Sequence, residues 1–340
     1  MKFAGLDVGG AHIKFALSSG ECKQVAFPFW KNKDQLSEIL TTFADLIDGA
    51  IGLGVTMTAE LADCFASKQD GVEFIVNSVE RVFSEYRPLY YQTDGDMCGA
   101  RAAIDNWQTV AASNWHASAW FVFSDSEQPS GFMFDIGSTT TDMIPVQSCT
   151  PVVSGQSDLD RLGNRQLLYA GVGRTPVCSL IDEIEFDSSR LSVARELFAT
   201  TQDVFLWLGE IEPSDSTDTA DGRPANRICA GHRLARMVCA DFDQLTPSQI
   251  DAIAIQTRNS LTKHLTGCLQ SVVESHPSVP LVFKTFGGGA WLAKEIIDQS
   301  FSHLPAVNPE VIPFSDDETA NQTVAARAVA AKRESVWGQN

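Results

Sequence analysis

The sequence predicts an α/β protein with two similar halves that face each other across a cleft. Two stretches, 3–14 and 133–142, repeat one pattern in which an aspartate ends an apolar strand and leads into a glycine turn. The stretches superpose position by position: Asp7 on Asp135, Gly9 on Gly137, Gly10 on Ser138, and Lys14 on Asp142. Strands and helices alternate after each stretch, which is typical of an α/β fold.

Each repeat has the chemistry of a phosphate-binding turn. A carboxylate in an apolar strand is costly unless something pairs with it, so two equivalent aspartates indicate a shared ligand or metal. Glycine at the turn lets backbone N–H groups approach an anion with no Cβ in the way. Either stretch alone would also fit an ordinary β-hairpin, because Gly-Gly is a common hairpin connection. The duplication favours two phosphate hairpins.

The first half of the chain alternates between short strands and helices. Residues 1–17 predict two antiparallel strands around the Gly9-Gly10 turn, and the apolar period over 34–47 predicts an amphipathic helix. A buried strand over 52–58 precedes a helix within 71–83, which Pro88 stops. A strand over 89–92 then runs into Asp94, and a small-residue helix is predicted from Met97 through Ala103.

Residues 120–123 and 132–145 lead into the second half of the chain, which contains a third glycine segment. Residues 210–226 are rich in Ser, Thr, Asp and Pro, which predicts a loop or lid. The predicted helices are 232–240, 247–274 and the alanine-rich 316–332, the last with Ser315 as its N-cap. Between the last two, a strand over 281–283 enters Gly287-Gly288-Gly289, a loop that suits a phosphate or the flat face of a nucleoside.

Composition limits the class of protein. At 340 residues and 44% hydrophobic content, the chain suits two domains. It contains no run of 18 apolar residues and no basic-then-apolar leader, so we expect neither a membrane span nor a signal peptide. Eight cysteines are scattered without close spacing, which favours reduced thiols and a cytoplasmic location.

The net charge of −18 disfavours nucleic acid and anionic membranes as partners. An anionic substrate would then be held by backbone N–H groups, a few placed cations and Mg²⁺ instead of a broad basic patch. The glycine turns and the aspartates supply the first and last of these.

The repeats carry a family resemblance. Residues 7–14, 135–142 and 287–289 resemble the two phosphate motifs and the adenosine motif of the actin, sugar-kinase and Hsp70 superfamily. The resemblance implies two ribonuclease-H-like domains flanking a cleft, the first from 1–125 plus 315–340 and the second from 126–314.

A narrower resemblance rests on four motifs. They are Gly9 to Lys14, Val55 to Leu61, Gly171 to Val177 and Asp221 to Pro224. These resemble a hydantoinase/oxoprolinase-related family known as tetrahydromethanopterin-linked one-carbon transfer pathway proteins. Its archaeal relatives build the aryl ether of methanofuran, joining a furanmethanol diphosphate to γ-glutamyltyramine with loss of pyrophosphate. Ala11 departs from the threonine of hydantoinases and many sugar kinases, which weakens the case for ordinary ATP hydrolysis.

The position of Asp94, after an apolar strand and before a small-residue helix, resembles that of the catalytic aspartate in sugar kinases of the superfamily. The resemblance implies a carboxylate that reaches into the cleft and deprotonates a hydroxyl. In aryl ether synthesis that hydroxyl is a phenol with a pKa of about 10, so a base or a metal would be needed. The alternative is that Asp94 and Asp96 cap the helix expected from Met97.

The remaining site residues are assigned by type. Asp7, Asp135 and Asp142 are expected to bind Mg²⁺, a hard cation that prefers oxygens, with hydrogen bonding to their own turns as the alternative. Lys14 and Arg174 are expected to contact phosphate, Lys14 with a catalytic role; for Arg174 a solvated surface position stays open. The predicted phosphate-binding residues, apart from these two, are Gly9, Gly10, Gly137, Ser138, Thr139, Thr140, Gly287, Gly288 and Gly289.

Cys229, His232 and Cys239 could mimic a metal cluster, but their spacing fits no structural zinc pattern well. Buried cysteines and a helical histidine are the favoured interpretation, and the metal question stays open. His232 with Arg233 and Arg236 is better suited to contact an anion or a carboxylate.

The leading hypothesis is a transferase that joins a furanmethanol diphosphate to a phenolic amine, with Mg²⁺ as cofactor. Stabilisation of the departing pyrophosphate would be the main catalytic effect. An ATP-dependent small-molecule kinase with Asp94 as its base, and a non-enzymatic nucleotide-binding switch, are the alternatives. Whether ATP binds, which acceptor is used and whether the chain forms a homodimer are left open.

Overall fold

The computed structural model describes residues 1–124, 126–186, 189–302 and 309–337. The first part of the first domain was expected to end at position 125, which lies outside these ranges. Positions 338–340 lie outside them as well. No helix in the described ranges has both the length and the apolar content needed to cross a membrane.

The strands are short and fall into two larger sheets and one hairpin. They are β1 Ala4–Val8, β2 His12–Leu17, β3 Cys22–Ala26, β4 Leu53–Met57, β5 Leu89–Tyr91, β6 Met97–Cys98, β7 Gly131–Ile136, β8 Thr141–Gln147, β9 Thr150–Pro151, β10 Leu167–Leu168, β11 Glu183–Phe186, β12 Ser189–Ser192, β13 Val282–Phe286 and β14 Glu310–Pro313.

The α-helices cover the sheets. They are α1 Phe29–Asn32, α2 Leu36–Thr41, α3 Ala44–Ile47, α4 Lys68–Phe83, α5 Ala100–Asp105, α6 Trp107–Val110, α7 Asn114–Ser124, α8 Asp158–Gly163, α9 Thr201–Leu208, α10 Arg227–Arg236, α11 Pro247–Ser275, α12 Ala290–Phe301, α13 Glu318–Gln322 and α14 Val324–Trp337.

The first sheet has the strand order β3-β2-β1-β4-β5-β6. Strand β1 pairs antiparallel with β2 and parallel with β4. Helix α14 returns from the far end of the sequence and packs on β1 and β4. Two glycines permit this close approach, because a Cβ at Gly5 would overlap Ala326 O and one at Gly54 would overlap Val329 O.

The second sheet has the order β10-β8-β7-β13-β14, with β9 paired to β8. Strand β7 pairs antiparallel with β8 and parallel with β13, so its surroundings repeat those of β1. Helices α11 and α12 cover this sheet through an apolar core that includes Phe132, Phe283 and Leu269. Helix α7 lies between the two parts and contacts both α14 and β8.

A helical layer extends the second half away from the cleft. The β11–β12 hairpin packs on α11, and α9 packs against α10 and α11 around Val204, Trp207 and Leu234. Residues 210–226 connect α9 to α10 without forming a helix, as their composition predicts. Asp221 ties this segment to the layer by accepting a hydrogen bond of 2.9 Å from Arg233 Nη1.

Two predicted helices are broken in the structure. The helix expected over 34–47 divides into a 3₁₀ turn, α2 and α3. Thr41 and Thr42 lie at this break, where their hydroxyls donate to the carbonyls of Glu38 and Ile39 and so compete with helical hydrogen bonds. The helix expected from Met97 instead begins at Ala100, because Met97 and Cys98 pair with β5.

Two helix starts also differ from prediction. The segment 316–332 forms two helices, and its N-cap is Asp317, which accepts from Thr319 N, whereas Ser315 accepts from Asp317 N. The helix expected over 232–240 spans Arg227–Arg236, because the side chain of Asn226 accepts from Cys229 N and starts it earlier.

Candidate active site

The two aspartate–glycine hairpins have the same geometry. Asp7 lies opposite Lys14 in the β1–β2 register, and Asp135 lies opposite Asp142 in the β7–β8 register. At the turns, Gly9 N donates to His12 O at 3.0 Å and Gly137 N donates to Thr140 O at 2.9 Å. The superposition predicted from the sequence therefore holds in three dimensions.

Both hairpins open into one cavity of about 750 Å³. Most of the predicted site residues line it, namely Asp7, Gly9, Gly10, Lys14, Asp135, Gly137, Ser138, Thr139, Thr140, Asp142, Arg174, Gly287 and Gly288. Gly289 and Asp94 do not line it. A Cβ at Gly289 would lie 2.5 Å from Ile136 Cγ2, so this glycine permits packing beneath the loop instead of contact with a ligand.

The turn tips expose backbone donors. Within the described ranges, the amides of Gly10, Ala11, Ser138, Thr139 and Thr140 make no hydrogen bond. N–H groups of successive residues at a turn form a concave site that favours an anion. Two such turns on opposite walls of one cleft suit a ligand with more than one phosphoryl group.

A second loop supports the Gly137 turn. Val172 N donates to Gly137 O at 3.0 Å, and the amides of Gly173 and Arg174 both donate to Ser138 O. Gly171 is required for this contact, because a Cβ there would overlap Gly137 O. The loop thereby delivers Arg174 to the cleft.

The cations of the cleft are few and placed individually. The guanidinium of Arg174 lies 4.1 Å from the centre of the Trp30 ring, and its Nη1 is buried without a hydrogen-bond partner. Lys14 Nζ lies 3.4 Å from Asp7 Oδ2. Burial, together with Lys14 and Arg174, lowers the pKa of His12 to about 4, so this imidazole is neutral near pH 7.

The carboxylates of the cleft repel one another. Burial raises the pKa of Asp7 although Lys14 opposes the change, and Asp7 Oδ1 has no hydrogen-bond partner. Burial and the neighbouring charge of Asp142 raise the pKa of Asp135 to about 7. A cation bound among these oxygens would relieve both effects.

Asp7 and Asp135 fit a Mg²⁺ ion that is shared with a ligand. The described residues contain no preformed group of three or more His, Cys, Asp or Glu side chains arranged to hold a metal. Mg²⁺ commonly uses one or two carboxylates together with phosphate oxygens and water. The unpartnered Asp7 Oδ1 and the electrostatic strain on Asp135 suit that mode of binding.

The predicted metal ligand Asp142 has a protein partner. Arg161 donates through Nη1 to Asp142 Oδ1, and through Nη2 to Asp158 Oδ1 at 2.9 Å. Asp158 in turn accepts from Lys68 Nζ at 2.9 Å, which links the second half of the chain to the first. Asp142 therefore belongs to an ion-pair chain that crosses the cleft. Nothing in the local sequence around Arg161 predicts its part in this chain.

Glu60 is a second titratable residue beside the cleft that is not among the predicted site residues. Its side chain is only 1% exposed, and both carboxylate oxygens lack a hydrogen-bond partner. Burial, with a smaller effect of Asp158, raises its pKa to about 8. Leu61 and Ala112 line the cleft beside it. The motif Thr58-Ala59-Glu60-Leu61 was the available signal.

Asp94 does not reach the cleft in this structure. Its side chain is exposed, and Asp94 Oδ1 accepts a hydrogen bond of 2.9 Å from Asp96 N within a turn. The capping alternative also fails, because the following helix has Gly99 as its N-cap. The role of Asp94 as a base stays a prediction without geometric support.

The histidine and arginines of α10 are committed elsewhere. Arg233 is buried and donates to Asp203 Oδ1 at 2.7 Å, Arg236 pairs with Asp241, and His232 stacks on Phe242 at 4.6 Å. None of the three lines the cleft, and the carboxylates that Arg233 and Arg236 contact are those of the protein itself.

Comparison with known proteins identifies relatives. A family model described as hydantoinase/oxoprolinase matches residues 52–300. A Methanocaldococcus jannaschii protein named (4-{4-[2-(gamma-L-glutamylamino)ethyl]phenoxymethyl}furan-2-yl)methanamine synthase is 35% identical over 300 residues, or 87% of this chain and 88% of the relative. A Methanococcus vannielii protein of the same name is 33% identical over 177 residues, or 52% of this chain and 77% of the relative.

Among solved structures, nucleotide-free acetone carboxylase matches 92% of this chain and 50% of its own chain, with 12% identity and a TM-score of 0.51. The predicted fold class, two α/β sheet domains of the actin, sugar-kinase and Hsp70 type around a cleft, is confirmed. By its family match and its archaeal relatives, the chain belongs to the hydantoinase/oxoprolinase family and, within it, to the group of these furan methanamine synthases.

Proposed function

We propose that this protein is a transferase of methanofuran-type cofactor biosynthesis, which joins a furanmethanol diphosphate to a phenolic amine and releases pyrophosphate. The name of the M. jannaschii relative describes a product in which a phenoxy oxygen is attached to a furan through a methylene group. An ether of that kind is formed when a phenol displaces a leaving group from the methylene carbon.

The observation that carries the proposal is the pair of turns with free backbone amides on opposite walls of one cleft. Lys14 and Arg174 add two positive charges to the same space. This arrangement is suited to hold a diphosphate and to stabilise the charge that develops as it departs.

The bond changes balance without a further reactant. The phenol oxygen forms a bond to the furan methylene carbon while the bond from that carbon to the diphosphate oxygen breaks, and the electron pair leaves with the diphosphate. The phenolic proton is taken up by the departing diphosphate or by water. Mg²⁺ held by Asp7 and Asp135 would supply neutralisation of charge on the phosphate oxygens.

Each group of the chain has a distinct part in this scheme. The turn amides orient the diphosphate, and Lys14 and Arg174 donate to its oxygens. The neutral imidazole of His12 adds a polar contact without adding charge. Leu61 and Trp30 also line the cleft and would give the reacting carbon apolar neighbours.

A direct assay tests the proposal. The protein is incubated with Mg²⁺, γ-glutamyltyramine and the diphosphate ester of the corresponding aminomethyl-furanmethanol, and the ether and pyrophosphate are quantified by mass spectrometry and a phosphate-coupled assay. We expect equal amounts of both. Lys14→Met should lower the rate by about 10–100-fold through loss of one charge-assisted contact, whereas Lys294→Met, at an exposed position of α12, should not.

A kinase is the alternative, and the same mixture distinguishes it. Replacing the diphosphate ester with ATP should give neither ADP nor a phosphorylated phenol. Steady ADP release with a phenolic or alcoholic acceptor, together with no ether from any phenolic amine, would refute the transferase.

A further inference from the structure

A groove outside the cleft gathers positive charge on an otherwise acidic protein. Its volume is about 310 Å³, and it is lined by Arg165, Ser260, Lys263, His264, Gly267 and Cys268, none of which lines the cleft. Because the chain carries 43 acidic against 25 basic residues, three basic side chains around one groove are an exception. The volume lies at the lower end of the range for small-molecule sites, which is about 300–1,000 Å³.

Helical spacing brings most of the groove together. Four of its residues are related by steps of three and four positions on α11 and so share one face of that helix: Ser260, Lys263, His264 and Gly267. Lys263 and His264 are exposed on this face. The adjoining Leu261 and Leu265 are buried in the core of the second sheet. The groove therefore lies on the solvent side of α11.

Arg165 completes the groove from another element. It follows α8 with a φ of +58°, the left-handed conformation that glycine or asparagine usually takes at the end of a helix. An arginine in this conformation is less favourable than glycine, so the backbone does not account for the residue at this position. Its charge acts on the floor of the groove, since burial raises the pKa of the Cys268 thiol and Arg165 opposes the change.

The three basic side chains differ from neighbouring arginines in having no acidic partner. Arg161 on α8 and Arg258 on α11 are each paired with two carboxylates. Within the described ranges, Arg165, Lys263 and His264 form no ion pair, and no carboxylate lines the groove. Positive potential that the protein does not neutralise attracts an anion.

Gly267 keeps the groove open. Glycine in the interior of a helix is less favourable than alanine, and α11 extends over 29 residues. A Cβ at Gly267 would meet nothing within 4 Å, so packing does not require glycine here. Because Gly267 lines the groove, a longer side chain at this position would project into the space beside the three basic groups.

We propose that this groove is a second anion site, which binds a phosphoryl group as the free ion or at the end of a small ester. The guanidinium of Arg165 can contact two phosphate oxygens at once, Lys263 adds a point charge, and His264 offers an N–H donor in either protonation state. A phosphoryl group carries about two charges where a carboxylate carries one, so the groove favours the phosphoryl group. The inference goes beyond the proposed transferase, because the groove and the cleft share no lining residue.

Histidine resonances distinguish the two sites in a single titration. His264 lines the groove and His12 lines the cleft, so the ring signals of isotope-labelled histidine report on each site separately. The signals are assigned with His264→Gln and His12→Gln. The whole chain is titrated without Mg²⁺, at constant pH and ionic strength, with inorganic phosphate, glycerol 3-phosphate and acetate.

We expect both phosphates to shift the His264 signal along a saturable curve. Acetate should bind at least about tenfold more weakly, because it brings fewer charge-assisted contacts. Either order of the two phosphates supports the site: tighter binding of glycerol 3-phosphate identifies an ester as the ligand, and tighter binding of phosphate identifies the free ion.

The variants assign the binding to residues. Arg165→Gln and Lys263→Gln should each raise the Kd for phosphate at the groove by about tenfold or more, since each removes a charge-assisted contact. Gly267→Leu should fill the groove and abolish the shift of His264, with the melting temperature retained because leucine favours a helix. Lys294→Gln, at an exposed position of α12, is the matched control and should leave the Kd unchanged.

Three results would overturn the assignment. They are a His264 signal that does not saturate with either phosphate, equal affinity for acetate, and a Kd that Arg165→Gln and Lys263→Gln leave unchanged. A shift of His12 alone would place phosphate in the cleft; it would refute the groove site and leave the proposed transferase untouched.

Discussion

Replacement of Gly287 by alanine should disable the diphosphate site through the backbone. Gly287 adopts a φ of +89°, a conformation that residues with a Cβ rarely occupy. A Cβ there would overlap Asp135 Oδ1 and would lie 2.5 Å from Ile136 O. Because the obstacles are a backbone carbonyl and a proposed Mg²⁺ ligand, relief of the overlap requires the loop or Asp135 to move.

The structure sets the expected size of the effect. The unfavourable φ costs about 1–3 kcal/mol, and the overlap brings the loss of unfolding free energy to about 2–4 kcal/mol. At about 2–4 °C for each kcal/mol, the melting temperature should fall by about 5–15 °C. Displacement of Asp135 should also weaken Mg²⁺-dependent pyrophosphate binding by about tenfold or more, or about 1.4 kcal/mol.

Thermal melts with and without Mg²⁺-pyrophosphate measure both effects. Gly163→Ala, at the exposed end of α8, is the matched control, because a Cβ there would meet nothing within 4 Å and the φ of Gly163 is not in the left-handed region. The control should retain both stability and ligand stabilisation. A Gly287→Ala protein that melts like the control and gains as much from the ligand would refute the packing argument.

Three further substitutions test other parts of the cleft. The pKa of Glu60 is about 8 in the folded protein and about its ordinary 4.5 in the unfolded chain, so the free energy of unfolding falls as the pH rises from about 4.5 to about 8. Glu60→Gln should remove up to about 1.4 kcal/mol per pH unit of this fall, as measured by denaturant titrations at several pH values. Glu73→Gln, at an exposed position, should leave the fall unchanged. Arg174→Met should weaken pyrophosphate binding by about 10–100-fold in calorimetry, and an unchanged affinity would remove it from the site. Asp94→Asn should keep the transfer rate within about threefold, because its carboxylate is exposed outside the cleft, whereas a loss of about 100-fold or more would establish it as the base.

The sequence was sufficient for the parts of the site that depend on local chemistry. A carboxylate at the end of an apolar strand and glycine at the turn define a hairpin by themselves, so both hairpins were predicted in the correct register. Arg174 was recognised because Gly171 and Gly173 flank it, and the structure uses both glycines to seat the loop against Ser138.

Residues whose roles depend on distant partners could not be predicted in this way. Arg161 lies in the short helix α8 and gains its importance from Asp142 on another element and from Asp158, the carboxylate that also binds Lys68 of the first half. The position of Asp94 outside the cleft has the opposite cause. Its local pattern matched, but pairing of Met97 and Cys98 with β5 turned the chain before a helix could begin.

The position of α14 has a consequence for how the protein is made. The glycines at positions 5 and 54 lie beneath its backbone, so β1 and β4 remain uncovered until residues 324–337 have been synthesised. The second sheet, which uses strands from 131–313, is complete before then. We therefore expect the second sheet to fold before the first is finished, and one face of the first sheet to stay open to solvent in the growing chain until α14 arrives.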